Sequence, residues 1–252
     1  MEIGLTPKPE EARDWFAKFP PPAFTRIFSP RGSGLPWNDH RFVNLPPGTL
    51  PWISYKDPVS VPELTDYFGA LVNSYPGRTL RVTHYHEPAP MSIDDRVRWR
   101  TRWDGLLTAA SCWSAIEPVQ IHSGYAMRWR QDTEWRDWII PGVTVAFDIY
   151  PPEYGDRYEP PESIFAILQQ AASRAGGVRW GCAEWGAHLI GAHRQHDRAA
   201  YLIDSARYLR MCGASFMGLW CSNEIRNFKT YDYRPTDADL SMAFKQVIEG
   251  DY

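Results

Sequence analysis

The chain has 252 residues, of which 44% are hydrophobic, enough for one large domain or two small ones with a sizeable core and no staples. A net charge of −3 lacks the basic surplus of a nucleic-acid binder, and no apolar run approaches the roughly 20 residues that cross a bilayer. Met1 runs straight into Glu2-Ile3-Gly4 with no signal peptide, which suits an intracellular protein, a mature secreted domain or a piece of a larger assembly such as a phage tail; of these the reading favours an extracellular or virion-associated setting.

Short β-prone runs recur along the chain, several followed by a helical stretch. The first strand is expected over 2–7, followed by a helix from Lys8 to Phe19 with acidic residues in its first turn. A second strand over 24–30 precedes a loop rich in proline and glycine. A third follows over 50–57, and apolar residues at helical spacing predict a helix over 61–74. A fourth strand over 80–88 reads Leu-Arg-Val-Thr-His-Tyr-His-Glu-Pro, with a long helix behind it over 93–111. The fifth and sixth strands are expected over 119–127 and 143–152. Prolines before it and glycines after it mark a helix over 160–177. Strands over 178–186 and 214–224 flank a helix over 196–213, and a helix opening at Thr236 closes the chain.

Eight strands, most separated by helices, in about 250 residues match a single (β/α)8 TIM barrel spanning 1–252. A doubly wound open sheet needs fewer repeats and usually opens on a glycine-rich turn, which is missing here. In such barrels function gathers at the C-terminal ends of the strands. Those ends read Ser29, Lys56, Glu87, Tyr125, Tyr150, Glu184 and Trp220. Glu87 and Glu184 close the fourth and seventh strands, on opposite sides of the ring, so both can reach one central cleft. Paired carboxylates across a cleft are what glycoside hydrolysis requires, one donating a proton and the other ionised.

Tyr85-His86-Glu87-Pro88 on the fourth strand, the stretch from Phe147 to Pro152 on the sixth and Ala183-Glu184-Trp185-Gly186 on the seventh resemble the clan A glycoside hydrolases. The nearest branch is the β-mannanase-like family 26 with its actinobacterial and phage relatives. The resemblance runs from Ile3 to the last helix. It implies that Glu87 is the general acid/base and Glu184 the nucleophile of a retaining hydrolase acting on a polysaccharide or cell-surface glycan. It also implies that Tyr150 orients the nucleophile, Trp220 floors a sugar subsite, and His86 positions a substrate hydroxyl or tunes Glu87. The strand-four motif continues Ala89-Pro90, without the Asn and Gly of the mannanase pattern, so mannan specificity is not implied. A non-catalytic carbohydrate-binding barrel, such as a phage receptor-binding or cell-wall-binding module, is the alternative.

Other residues carry both a functional and a bland reading. Arg26 on the second strand is expected to pair with Glu184, and Asp148 to partner Tyr150 or Lys56. Trp37, in the loop after the second strand, is the better sugar-stacking candidate because loops on that face line the cleft. Trp52, Trp180 and Trp185 read as packing, and Trp129, Trp135 and Trp138 as rim or helix packing. His84 and His86 form an HxH that suggests a metal-dependent amidohydrolase. Strand alternation, however, puts both histidines on the face opposite Tyr85 and Glu87. Cys112, Cys182, Cys212 and Cys221 show no CxxC and read as free thiols. No metal, cofactor, nucleic acid or membrane is expected, and the partner is a carbohydrate, with a larger polypeptide or virion assembly possible.

Overall fold

A computed structural model describes residues 1–37, 39–88, 93–129, 138–150, 158–188, 195–226 and 229–252. Eight parallel strands close into a barrel in the order of the chain, β1 pairing with both β2 and β8. They are β1 (Glu2–Thr6), β2 (Phe24–Ser29), β3 (Leu50–Tyr55), β4 (Leu80–His84), β5 (Ile116–Ser123), β6 (Thr144–Ile149), β7 (Trp180–Trp185) and β8 (Phe216–Trp220). Among the described residues seven helices accompany them: α1 (Ala12–Lys18), α2 (Val61–Ser74), α3 (Ile93–Ala110), α4 (Gly124–Trp129), α5 (Pro161–Arg174), α6 (Gln195–Met211) and α7 (Ala238–Glu249). This is the (β/α)8 architecture the strand rhythm predicts.

Local chemistry sets the helix boundaries. The Ser60 hydroxyl accepts from the Glu63 amide to open α2, and Asp237 Oδ1 accepts from the Leu240 amide at 2.7 Å to open α7. The cap of α7 is therefore Asp237 rather than Thr236. Gly250 closes the same helix in the left-handed region, φ 79°. The fifth strand departs from expectation: it begins at Ile116 and stops at Ser123, where α4 starts. Ser123 Oγ caps this turn by accepting from the Ala126 amide. Tyr125 thus falls in α4 and is 63% exposed, not at a strand end. The eighth strand also ends early, and the chain beyond it forms an antiparallel hairpin, β9 (Asn223–Arg226) with β10 (Lys229–Asp232). The first helix is preceded by a 3-10 turn over Pro9–Glu11.

Alternation along each strand sorts the side chains into two cores. Outward-facing Ile3, Leu5, Val145, Phe147, Cys182, Met217 and Leu219 bury against α5, α6 and α7, while Ile53, Val82 and Ile116 bury against α2 and α3. The inward-facing set stacks in layers. At the N-terminal end Arg81 bonds Glu2 at 2.5 Å and Glu117 at 3.2 Å. An aromatic middle of Phe24, Trp52 and Phe216 follows, the last two ring centroids 5.1 Å apart and perpendicular. Above it lies a charged layer built on Arg26. Trp52, Trp180 and Trp185 are all buried, as is Trp138, which meets Trp99 edge-on. The side chains of Trp129 and Trp135 lie outside the described residues.

Candidate active site

Three elements of backbone geometry build the mouth of the barrel. The first is a bulge in β7. Phe147 pairs with Cys182 but Asp148 pairs with Glu184, and Cys182 pairs with Met217 while Trp185 pairs with Leu219. One extra residue is therefore inserted in β7, so that Ala183 and Glu184 both face inward. Gly218 on β8 makes room for it, since a Cβ there would lie 2.2 Å from the Ala183 carbonyl oxygen.

The second element is the end of β4. Tyr85 and Glu87 both take positive φ, 45° and 54°, a region that costs a non-glycine residue about 1–3 kcal/mol. The surroundings hold the strain in place. The Tyr85 amide donates to the Tyr55 carbonyl of β3 at 2.8 Å, and the Glu87 amide to the Ile121 carbonyl of β5 at 2.9 Å. The Trp99 indole N–H donates to the Tyr85 carbonyl at 3.3 Å. This turn breaks the alternation assumed for His84 through Glu87. His84 faces outward and packs on Tyr55, ring centroids 4.9 Å apart, whereas His86 turns to the mouth against Phe28 at 5.4 Å. The two histidines do not form one ligand pair, and His86 shares its side with Glu87. Among the described residues no cluster of three metal-ligating side chains occurs.

The third element is a buried charge network. Arg26 Nη1 donates to Glu184 Oε1 at 2.7 Å and to Asp148 Oδ1 at 2.9 Å, with the guanidinium fully buried. The expected pairing of Arg26 with Glu184 is present, and Asp148 pairs with Arg26 rather than Lys56. The Tyr150 hydroxyl donates a short hydrogen bond to Glu184 Oε2. Gly186 leaves space for that tyrosine, since a Cβ would meet the Tyr150 ring at 3.0 Å. Burial opposes charge on Arg26, but Asp148 and Glu184 outweigh it and hold the guanidinium above its ordinary range. Asp148 is pushed well up by burial, with Arg26 acting against the rise and Glu184 adding to it.

Glu87 joins this network through its charge. Burial raises its carboxyl above the usual range and the charge of Glu184 raises it further, while a hydrogen bond from Ser123, Arg26 and Lys56 pull it back. Ser123 was not expected at the site. Serine is a preferred helix-opening residue, and here it ends β5 and caps α4. His86 is driven well below its ordinary value by burial, with Arg26 and Lys56 adding to the effect, so its ring is neutral. Phe28, also unforeseen, links the wall: its ring lies 4.4 Å from the Arg26 guanidinium carbon and 6.2 Å from the Trp220 ring, which it meets edge-on. Lys56 Nζ stands 5.6 Å from the centre of the Tyr85 ring. The structure thus gathers Glu87, Glu184, His86, Tyr150, Trp220, Lys56, Arg26 and Asp148 at one end of the barrel. Trp37 is 45% exposed and meets Tyr67 of α2 edge-on at 4.8 Å.

The fold is shared with glycoside hydrolases of known structure. A Thermotoga maritima Cel5A structure in complex with cellobiose superposes with a TM-score of 0.61 at 13% identity, covering 96% of each chain. A GH128 exo-β-1,3-glucanase from Aureobasidium namibiae gives 0.60 at 12% identity, over 98% of this chain and 96% of that one. A GH5 xyloglucan-specific endo-β-1,4-glucanase from a metagenomic library, in complex with cellotriose, gives 0.61 at 13% identity, over 96% and 86%. No protein-family model and no curated protein matches the sequence. Likeness at this identity is a likeness of fold.

Proposed function

We propose that the protein is a retaining glycoside hydrolase acting on a polysaccharide or cell-surface glycan. The observation that carries the reading is the opposed treatment of two carboxyl groups at one barrel mouth. Glu87 is half-buried, its carboxyl is raised by desolvation and by Glu184, and Ser123 hydrogen-bonds it, so it keeps its proton at a pH where an ordinary carboxylate has lost it. Glu184 is paired with a fully buried arginine and receives a tyrosine hydroxyl, contacts that fix its two oxygens as a nucleophile requires. Glu87 then donates its proton to the departing glycosidic oxygen while Glu184 attacks the anomeric carbon. In the second half Glu87 takes a proton from water, which releases the sugar. Neutral His86 and Trp220 hold buried ring nitrogens, Nδ1 and Nε1 respectively, that have no hydrogen-bond partner among the described residues. Trp220 and Phe28 offer apolar faces for a pyranose ring. Membership of the family 26 branch, with phage and actinobacterial relatives, is part of this proposal and rests on the strand-four and strand-seven motifs.

The test is a screen of aryl glycosides and wall polysaccharides with the anomer of the first product recorded by NMR. Retention of configuration is expected, and Glu87→Gln and Glu184→Gln should each lower kcat by about 100-fold or more while sugar binding persists. Unchanged turnover in Glu184→Gln would remove the nucleophile assignment. Binding with no turnover in the wild type would favour a carbohydrate-binding barrel.

A further inference from the structure

Beside the carboxyl pair, on the β3–β4 side of the mouth, a pocket of about 450 Å³ opens between β3, β4 and α3. Four cations line it, Arg31, Lys56, Arg98 and Arg102, against the single carboxylate of Asp95. Asp95 is committed to Arg98 at 2.6 Å. The neighbouring Asp57 is committed as well, accepting the Gly32 and Gly34 amides at 2.7 and 2.6 Å. Arg31, Lys56 and Arg102 make no ion pair among the described residues. This concentration of positive charge stands out in a chain whose net charge is −3. The pocket shares Tyr85 and Lys56 with the site: Tyr85 lies two residues before Glu87, and the Lys56 charge is felt by both His86 and Glu87. Trp99 is buried behind its wall and anchored to the Tyr85 carbonyl, so the cationic wall and the strained turn that carries Glu87 form one unit.

We infer that this pocket is a subsite for an anionic group, carboxylate or phosphate, on the glycan that Glu87 and Glu184 process. The inference rests on the glycosidase reading and adds to it the chemical class of the substrate. Guanidinium forks bind carboxylate and phosphate oxygens in pairs, and a flexible lysine adds a point charge. An aromatic wall against a cationic lining fits a charged sugar, whose ring has apolar faces and whose substituent is an anion. A neutral glycan would leave Lys56 and Arg102 without an ion-pair partner among the described residues.

The experiment uses the full chain carrying Glu184→Gln, so that binding is read without turnover. Titration calorimetry compares oligogalacturonate with a matched neutral galacto-oligosaccharide, and a glycerol-phosphate-substituted glycan with its unsubstituted counterpart. At least one acidic member should bind about tenfold or more tightly than its neutral partner. That preference should shrink on raising ionic strength from about 0.01 M to 0.15 M, as the Debye length falls from roughly 30 Å to 8 Å. Arg102→Gln combined with Arg98→Gln should abolish the preference and leave neutral binding unchanged, while Arg102→Lys should restore much of it. Whichever anion, carboxylate or phosphate, loses more in the double variant identifies the source. Equal binding of acidic and neutral partners, or a preference that survives the double variant, overturns the subsite and leaves the hydrolase standing. If no glycan of either kind is bound by this protein or cleaved by the wild type, both readings fall together.

Discussion

Replacing Arg26 by methionine tests the charged layer on which the site is built. The guanidinium is fully buried between Asp148 and Glu184, which are 3% and 6% exposed. Methionine fills most of the volume but leaves two carboxylates without their counter-charge. Breaking a buried ion pair by removing one partner costs about 3–5 kcal/mol, a large part of the 5–15 kcal/mol typical of a folded protein. At this chain length each kcal/mol is worth about 2–4 °C, so Tm should fall by about 6–20 °C. The sign with pH follows from linkage. In the variant the buried carboxyl groups hold protons more tightly folded than unfolded, so the fold binds more protons than the open chain. The variant's deficit is therefore small below about pH 4, where both states are protonated, and grows as pH rises above the unfolded carboxylate pKa. Urea unfolding followed by tryptophan fluorescence at about pH 4 and pH 8 measures this difference. A loss below about 1 kcal/mol that is the same at both pH values would show that Arg26 is not the counter-charge of the layer.

Two further outcomes follow from the same geometry. Because Glu87 is raised by burial and by Glu184, the alkaline limb of kcat/KM against pH should lie above the ordinary carboxylate range; Lys56→Met removes a cation that favours the ionised form and should move that limb up by about 0.5 pH unit, whereas a downward shift would contradict the placement of Lys56. Gly218→Ala would put a Cβ 2.2 Å from the Ala183 carbonyl oxygen and must displace the β7 bulge; the expected loss is about 3 kcal/mol by urea unfolding with a larger proportional loss of activity, and wild-type stability would show that β8 yields to the bulge.

The ring of strands was legible because period-2 runs alternating with helical stretches carry it, and both carboxylates were found because they sit where that ring places strand ends. What pattern could not supply was local backbone. Alternation assigned His84 and His86 to one face, and it holds through His84. It fails at Tyr85 because Trp99, Tyr55 and Ile121 fix the turn from three sides, and all three are distant in sequence. The β7 bulge was equally hidden: nothing in Gly181-Cys182-Ala183-Glu184 announces an extra residue, and only the pairing with β6 and β8 reveals it. Ser123 was missed for a different reason, since the fifth strand was read three residues late and carried past its cap.

These two irregularities share a consequence for the site. A regular β4 would continue alternating and send Glu87 and His86 to opposite faces. A regular β7 would send Glu184 outward with Cys182 held as it is. Glu184 therefore reaches the barrel mouth through an inserted residue, and His86 joins Glu87 there through a turn of left-handed residues. Both departures cost stability locally, and both are clamped by buried contacts made elsewhere: Trp99 and the flanking carbonyls for Glu87, Gly218 and Arg26 for Glu184. Among the described non-glycine residues positive φ is confined to Tyr85 and Glu87, the turn that carries the acid/base candidate, and strain held at that one place is what a selected site would show.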